Sequence, residues 1–212
     1  DFETGVPKFC YRDMIEAPDP EQYKAAFFKE NADVSFYEIS DGGDADCEVL
    51  VEPDAYRSMK QYFHFGQSHP LSMYEQQMAL VGFTWGKLNV VRYVIPCDGA
   101  FRAADNAIFT KNILKTVDKE LKIINNNYYR SSDRGRSGSM CDHDAPMKFL
   151  GFIHSHPTQS DLQYSTGDDA IHLRMLARFG AYVGVLVNPA ESTMGAYYGK
   201  DLRQAKLIVP DV

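Results

Sequence analysis

The sequence has few cysteines, and their spacing is unlike that of a cysteine-based site. Only four are present, Cys10, Cys47, Cys97 and Cys141, and no two of them form a C-x-x-C pair. This pattern argues against a thiolate zinc knuckle and against a dense disulfide framework. Free thiols are typical of a reducing compartment, so we expect an intracellular, cytoplasmic protein.

Long hydrophobic runs and basic clusters are also missing. No apolar run approaches the roughly 20 residues needed to cross a bilayer, so we expect no membrane-spanning segment. No basic stripe is interleaved with aromatic residues, so the sequence does not favour binding of nucleic acid. The first residues, Asp1 to Gly5, are neither a start methionine nor a basic-then-apolar signal. We therefore expect the sequence to begin within a longer protein.

What is present is the composition of a folded domain with an uneven charge. Of 212 residues, 44% are hydrophobic and 24% are charged, which is typical of a globular protein. Residues 1–52 carry 14 acidic and 4 basic side chains, whereas residues 53–212 carry 15 acidic and 18 basic ones. The acidic segment is either a solvated face or a surface that docks on a basic protein partner or on the remainder of its own chain.

Hydrophobic periodicity predicts interleaved helices and strands after Pro53. Residues 1–52 read as mixed short elements. A helix is expected from Pro53 to about Gly66 and a long helix from about Ala104 to Ile124, with a mobile surface loop at about 125–147. The remaining predicted elements are strands at 77–85, 88–95, 149–154, 181–187 and 193–198 and a helix at 168–179. This order predicts an α/β (α+β) fold in which helices flank a mixed sheet.

One segment carries recognisable chemistry, Phe152-Ile-His-Ser-His-Pro followed by Ser165-Thr-Gly-Asp168. Residues i and i+2 of a strand lie on the same face, so His154 and His156 can share one ion. Catalytic zinc typically takes three protein ligands from His and carboxylate groups, and Asp168 supplies the carboxylate. Ser165 and Asp168 also have the spacing of a helix capping box, and this alternative competes for the same carboxylate.

This segment resembles the signature of the JAMM, or MPN-plus, metalloprotease family, in which His-x-His-Pro is followed by Ser-x-x-Asp. The family also carries an upstream Glu-x-x-Gly-x-x-x-Gly motif, to which Glu75 and Gly82 correspond, with Met78 in place of the first glycine. The loop before Ser165 is one residue longer than the family pattern. The resemblance covers roughly residues 53–209 by order of elements and leaves residues 1–52 as an acidic extension of unknown role.

The resemblance implies a cytidine-deaminase-like MPN fold over residues 53–212 and one Zn²⁺ per chain, held by His154, His156 and Asp168. It implies that Glu75 is the general base of a zinc-activated water and that Ser165 stabilises the oxyanion. The expected reaction is hydrolysis of peptide or isopeptide bonds after the C-terminal tail of ubiquitin or a ubiquitin-like protein. Two alternatives remain: a catalytically silent scaffold subunit of a larger complex, and a zinc hydrolase of a small peptide or amide.

Overall fold

The fold combines one large mixed sheet with four helices in the computed structural model, which describes residues 19–39, 44–97, 101–103, 106–108, 111–132, 146–157 and 162–212. The helices are α1 (Pro20–Glu30), α2 (Pro53–Phe63), α3 (Lys111–Ser132) and α4 (Thr166–Phe179). The strands are β1 (Phe36–Ile39), β2 (Asp44–Val51), β3 (Gln77–Trp85), β4 (Leu88–Pro96), β5 (Phe101–Ala103), β6 (Asn106–Ile108), β7 (Lys148–Ser155), β8 (Val183–Asn188), β9 (Thr193–Tyr198) and β10 (Arg203–Pro210).

Eight of the strands form one sheet in the order β1-β10-β2-β4-β3-β7-β8-β9. A further pairing of β9 with β10 closes seven of them into a barrel and leaves β1 outside it. Three pairs are parallel (β2 with β4, β2 with β10, β7 with β8) and the others are antiparallel, so the sheet is mixed. The predicted class, a mixed sheet with helices, is confirmed at this level.

Two hydrophobic clusters lie on opposite faces of the sheet. One packs α2 on the sheet through Tyr56, Met59 and Phe63. The other packs α1, α3 and α4 on the opposite face, with Phe152 of β7 fully buried among them. Since strand residues alternate between faces, the residues of β7 that share the face of Phe152 point towards α4.

Most predicted elements are confirmed, but the bounds around α3 are not. The predicted helix at about 104–124 instead begins at Lys111, after the short strand β6. The predicted loop at about 125–147 is also wrong in its first part, because α3 continues to Ser132. The residues after 124 are mostly polar, so hydrophobic periodicity did not indicate that the helix continues. Residues 133–145 lie outside the described part of the chain.

The acidic segment is not a separate appendage where the structure describes it. β2 (residues 44–51) pairs with both β4 and β10, so the boundary expected at residue 52 falls inside the sheet. Ion pairs join the segment to basic residues of the remaining chain: Lys87 with Glu48, Arg92 with Glu52, Arg203 with Asp46 and Lys206 with Glu38. The charge asymmetry is therefore compensated at least in part within the chain itself.

Among the described residues, no helix is long and apolar enough to cross a membrane.

Candidate metal centre

The candidate site lies at the carboxyl end of β7, on the sheet face that carries α4. His154 is in β7 and His156 follows directly after it, and their imidazole Nε2 atoms are 3.0 Å apart. The alternation of strand side chains brings them to one side, as the sequence predicted. His156 is 3% exposed and His154 12% by side chain, so the pair is shielded but can be reached from solvent at His154.

Asp168 of α4 completes the cluster. Its Oδ1 is 3.0 Å from His154 Nε2, and its Oδ2 is 3.3 Å from His156 Nε2. The three residues form the one group of His, Cys, Asp or Glu side chains suited to a metal ion among the described residues. Asp168 therefore lies close to both histidines, as the sharing of one ion would require.

The capping box and the metal cluster do not exclude each other. Ser165 is the N-cap of α4, and its Oγ accepts a hydrogen bond from the Asp168 N–H. Asp168 Oδ2 in turn accepts hydrogen bonds from the Ser165 N–H and Oγ–H, at 2.8 and 2.7 Å. Oδ1 faces His154 only, so one carboxylate caps the helix and also lines the site.

The electrostatics of the cluster favour an ionised Asp168. Burial by itself would raise the pKa of this carboxyl, but hydrogen bonds from His154, His156 and Ser165 and the charge of His154 outweigh it. The pKa of Asp168 is therefore held well below its usual range. The site presents one anionic oxygen pair and two imidazole nitrogens, a donor set suited to a divalent cation.

The spacing of these side chains is compatible with a small divalent cation. For zinc, bonds of about 2.0–2.2 Å in a tetrahedral arrangement separate two ligand atoms by roughly 3.3–3.6 Å. The nearest approaches between the three side chains are 3.0, 3.0 and 3.3 Å, the two to Asp168 through different carboxylate oxygens. With one donor atom taken from each residue, all three lie within 4.8 Å of one another. Three protein donors would leave a fourth position for water or substrate.

Glu75 lies two residues before β3, which pairs with the strand of His154. Gln77 pairs with His154, and beyond the strand the Ser155 N–H still donates to the Gln76 carbonyl, at 3.0 Å. The Ser155 Oγ accepts from the Gln76 N–H at 2.9 Å, so the register continues by one further residue. Continued by one more residue, this register would place Glu75, which is half-buried, opposite His156.

Three residues that sequence reasoning did not assign support this arrangement. Tyr164 donates or accepts a 3.2 Å hydrogen bond with His172 Nδ1, and its hydroxyl packs on the bare backbone of Gly184. A Cβ at Gly184 would lie 1.5 Å from that hydroxyl, so only glycine leaves room for it. His172 is 1% exposed and is held by this hydrogen bond to Tyr164. An isolated glycine in a predicted strand was the available signal.

Burial governs the ionisation of this supporting pair. Burial raises the pKa of Tyr164 well above its usual value. Burial also lowers the pKa of His172, although a hydrogen bond with the Gly199 backbone and the charge of Asp169 act in the opposite direction. Both groups are therefore neutral near pH 7. His64 and His69 lie outside this cluster: their rings stack at a centroid distance of 3.7 Å, and His64 is the C-cap of α2.

Comparison with known proteins gives information about the fold class only. No family model matches the chain, and no curated protein matches it in sequence. Among solved structures, it is similar to the solution structure of protein DSY2949 from Desulfitobacterium hafniense, with a TM-score of 0.51 and 17% identity. The match covers 76% of this chain and 92% of that one. At this identity, the likeness concerns the α+β fold alone.

Proposed function

We propose that this protein is a zinc-dependent metalloprotease of the JAMM type, with a cytidine-deaminase-like MPN fold. The observation that carries the proposal is the convergence of His154, His156 and Asp168, whose side chains approach one another at 3.0–3.3 Å. Two histidines and one carboxylate with an open position are typical of catalytic rather than structural zinc. The β3–β7 register, which would bring Glu75 opposite His156 if continued by two residues, supports the same assignment.

Zinc, Glu75 and Ser165 have separate roles in the proposed hydrolysis. Zinc, when bound by the three ligands, supplies a Lewis acid that polarises the scissile carbonyl and makes water a nucleophile at neutral pH. Glu75 accepts a proton from the attacking water and passes it to the leaving amine. Ser165 redirects its hydroxyl from Asp168 to the developing oxyanion, while its N–H keeps hold of the Asp168 carboxylate.

The proposed substrate is a peptide or isopeptide bond after the C-terminal tail of ubiquitin or a ubiquitin-like protein. An extended tail fits a site at the end of a strand, because main-chain hydrogen bonds can hold it without a deep pocket. β7 has β3 on one side and β8 on the other, so the tail would pair beyond the strand ends rather than with β7 itself.

Cleavage of conjugates tests the proposal directly. The protein is incubated with ubiquitin-like fusions and isopeptide conjugates, with and without a chelator, beside Glu75→Gln. We expect cleavage that the chelator abolishes and that Glu75→Gln lowers by at least 100-fold, in keeping with the loss of a general base. If zinc binds stoichiometrically but nothing is cut, the scaffold or the small-substrate alternative takes its place.

Metal content tests the site independently of any substrate. The double variant His154→Ala/His156→Ala should lose its zinc, whereas His64→Ala/His69→Ala, in the stacked pair at the end of α2, should keep it. Equal metal content in the two variants would remove the basis of the assignment.

A further inference from the structure

Gln77 is a buried amide with an unused acceptor, directly across from a metal ligand. Its side chain is 4% exposed, and its Oε1 has no hydrogen-bond partner among the described residues. An unpaired buried carbonyl of this kind is unfavourable, because it has lost its hydrogen bonds to water. A buried acceptor without a partner is therefore commonly a group that has a functional role.

The strand register sets Gln77 against His154. The two are partners in the β3–β7 ladder. The neighbouring positions Gln76 and Ser155 carry the main-chain hydrogen bond, which makes Gln77–His154 a pair of the closer type, with Cα atoms about 4.5 Å apart. The side chains of such a pair lie on the same face and touch. On the far side, the main-chain carbonyl of Gln77 accepts a hydrogen bond from the Cys97 N–H, so the backbone is paired on both sides at this position.

His154 has a ring nitrogen, Nδ1, that could donate a hydrogen bond to this acceptor. It turns Nε2 to Asp168 and His156, and its Nδ1 makes no hydrogen bond within the part of the chain that the structure describes. A neutral imidazole that binds a metal through Nε2 carries its proton on Nδ1. Metal-bound histidines almost always donate this proton to a carboxylate, a carbonyl or water, which fixes the ring and raises its basicity.

We propose that Gln77 is the positioning residue of the metal centre, with its Oε1 accepting the Nδ1–H of His154 when a cation occupies Nε2. Rotation of the terminal amide is enough to present the oxygen, since the two side chains are already neighbours. Gln77 thereby selects one tautomer of His154. This inference rests on the metal centre of the proposed function and not on the reaction that the centre performs.

Gln76 provides a matched control. It is adjacent in sequence and 3% exposed, and it also has a buried Oε1 without a partner among the described residues. Because strand side chains alternate, it points to the opposite face, away from His154. Gln76→Leu and Gln77→Leu therefore remove the same chemical group from the same depth, and they differ only in the face they alter.

The experiment measures zinc affinity by competition with a chromophoric chelator, together with the imidazole ¹⁵N and ¹H signals of the zinc-loaded protein. We expect Gln77→Leu to weaken zinc binding roughly 10- to 100-fold and to abolish a slowly exchanging Nδ1–H signal of His154. Gln76→Leu should leave both unchanged. Gln77→Glu, which retains an acceptor, should bind zinc at least as tightly as the unsubstituted protein and keep the signal.

Three results would overturn the inference. Equal affinities of Gln77→Leu and Gln76→Leu, or a loss of affinity in Gln77→Glu, would show that the amide does not act on His154. A protein that binds no zinc would refute both this inference and the proposed function. If Gln77→Leu weakens zinc binding while no conjugate is ever cleaved, the positioning role stands and the protease assignment fails.

Discussion

Ser165 and Asp168 hold each other through three hydrogen bonds at the start of α4, and the same Asp168 carboxylate faces the histidine pair. The helix N-terminus therefore contributes to the site in two ways. Its capping box fixes the rotamer of Asp168, and its dipole favours the negative charge that the carboxylate carries. Helix stability and site geometry are coupled through one side chain.

Ser165→Ala should weaken both the helix cap and the metal site. Loss of an N-cap serine costs about 0.5–2 kcal/mol of the free energy of unfolding, and we expect a value in this range by urea denaturation. Zinc affinity should fall as well, because Asp168 loses the Oγ–H and regains rotamer freedom. Thr166→Ala, at the exposed next position, is the control and should change neither quantity. Equal effects of the two substitutions would rule out the coupling.

Ser155 connects the two segments of the site, and its removal should be costly. It is fully buried, and its Oγ accepts the Gln76 N–H. Ser155→Ala leaves that amide buried and unpaired, so we expect a loss of about 1–3 kcal/mol in the free energy of unfolding. Hydrogen exchange of the Gln76 amide should also accelerate. The control is Ser58→Ala, whose hydroxyl bonds to the backbone of the exposed face of α2. No faster exchange at Gln76 would contradict the linkage.

Gly184 makes room for Tyr164, which predicts a strong coupling between them. A Cβ at Gly184 would meet the Tyr164 hydroxyl at 1.5 Å, whereas one at Gly195 would meet its nearest atoms at 3.7 Å. We expect Gly184→Ala to cost about 1–3 kcal/mol by overpacking, and Gly195→Ala far less. In a Tyr164→Ala background the cost of Gly184→Ala should shrink markedly, giving a coupling energy of about 0.5–3 kcal/mol in a double-mutant cycle. Additive effects would exclude the contact.

Glu48 predicts a specific dependence of stability on pH. Its side chain is 5% exposed, and Lys24 and Lys87 approach it at 2.6 and 3.1 Å. Burial would raise the pKa of Glu48, but hydrogen bonds and charge from the two lysines lower it below its ordinary value of 4.5. The folded state therefore binds this proton more weakly than the unfolded state. The resulting stabilisation is complete above about pH 4.5 and is lost as the pH falls through the lower, folded pKa.

Thermal unfolding at several pH values measures this effect. Glu48→Gln should lower the melting temperature near pH 7, and the difference from the unsubstituted protein should shrink as the pH falls below 4.5. Glu21→Gln is the control: Glu21 belongs to the same network but is 61% exposed, so screening by water leaves it with little effect. A difference that does not depend on pH would disprove the assigned role of the Glu48 charge.

Much of the fold could be predicted from local patterns. The strands β3, β4, β7, β8 and β9 and the helices α2 and α4 follow from hydrophobic alternation, from the 3.6-residue period and from proline or glycine at their ends. The start of α3 could not be predicted, because the short β6 precedes it. Its end escaped prediction because polar residues can continue a solvated helix. β2 and β10 escaped recognition because their positions depend on distant partners.

The sequence by itself determined the identity of the donors and the common side of His154 and His156, since alternation along one strand is a property of the local backbone. It also indicated that Asp168 could cap α4 or bind a metal, but it did not show whether one carboxylate could do both. Only the tertiary structure shows that the carboxylate can bond to Ser165 and face the histidines at the same time. Tertiary pairing likewise joined Gln76 to Ser155 across 79 residues of chain and set Gln77 opposite His154, relationships that no local pattern encodes.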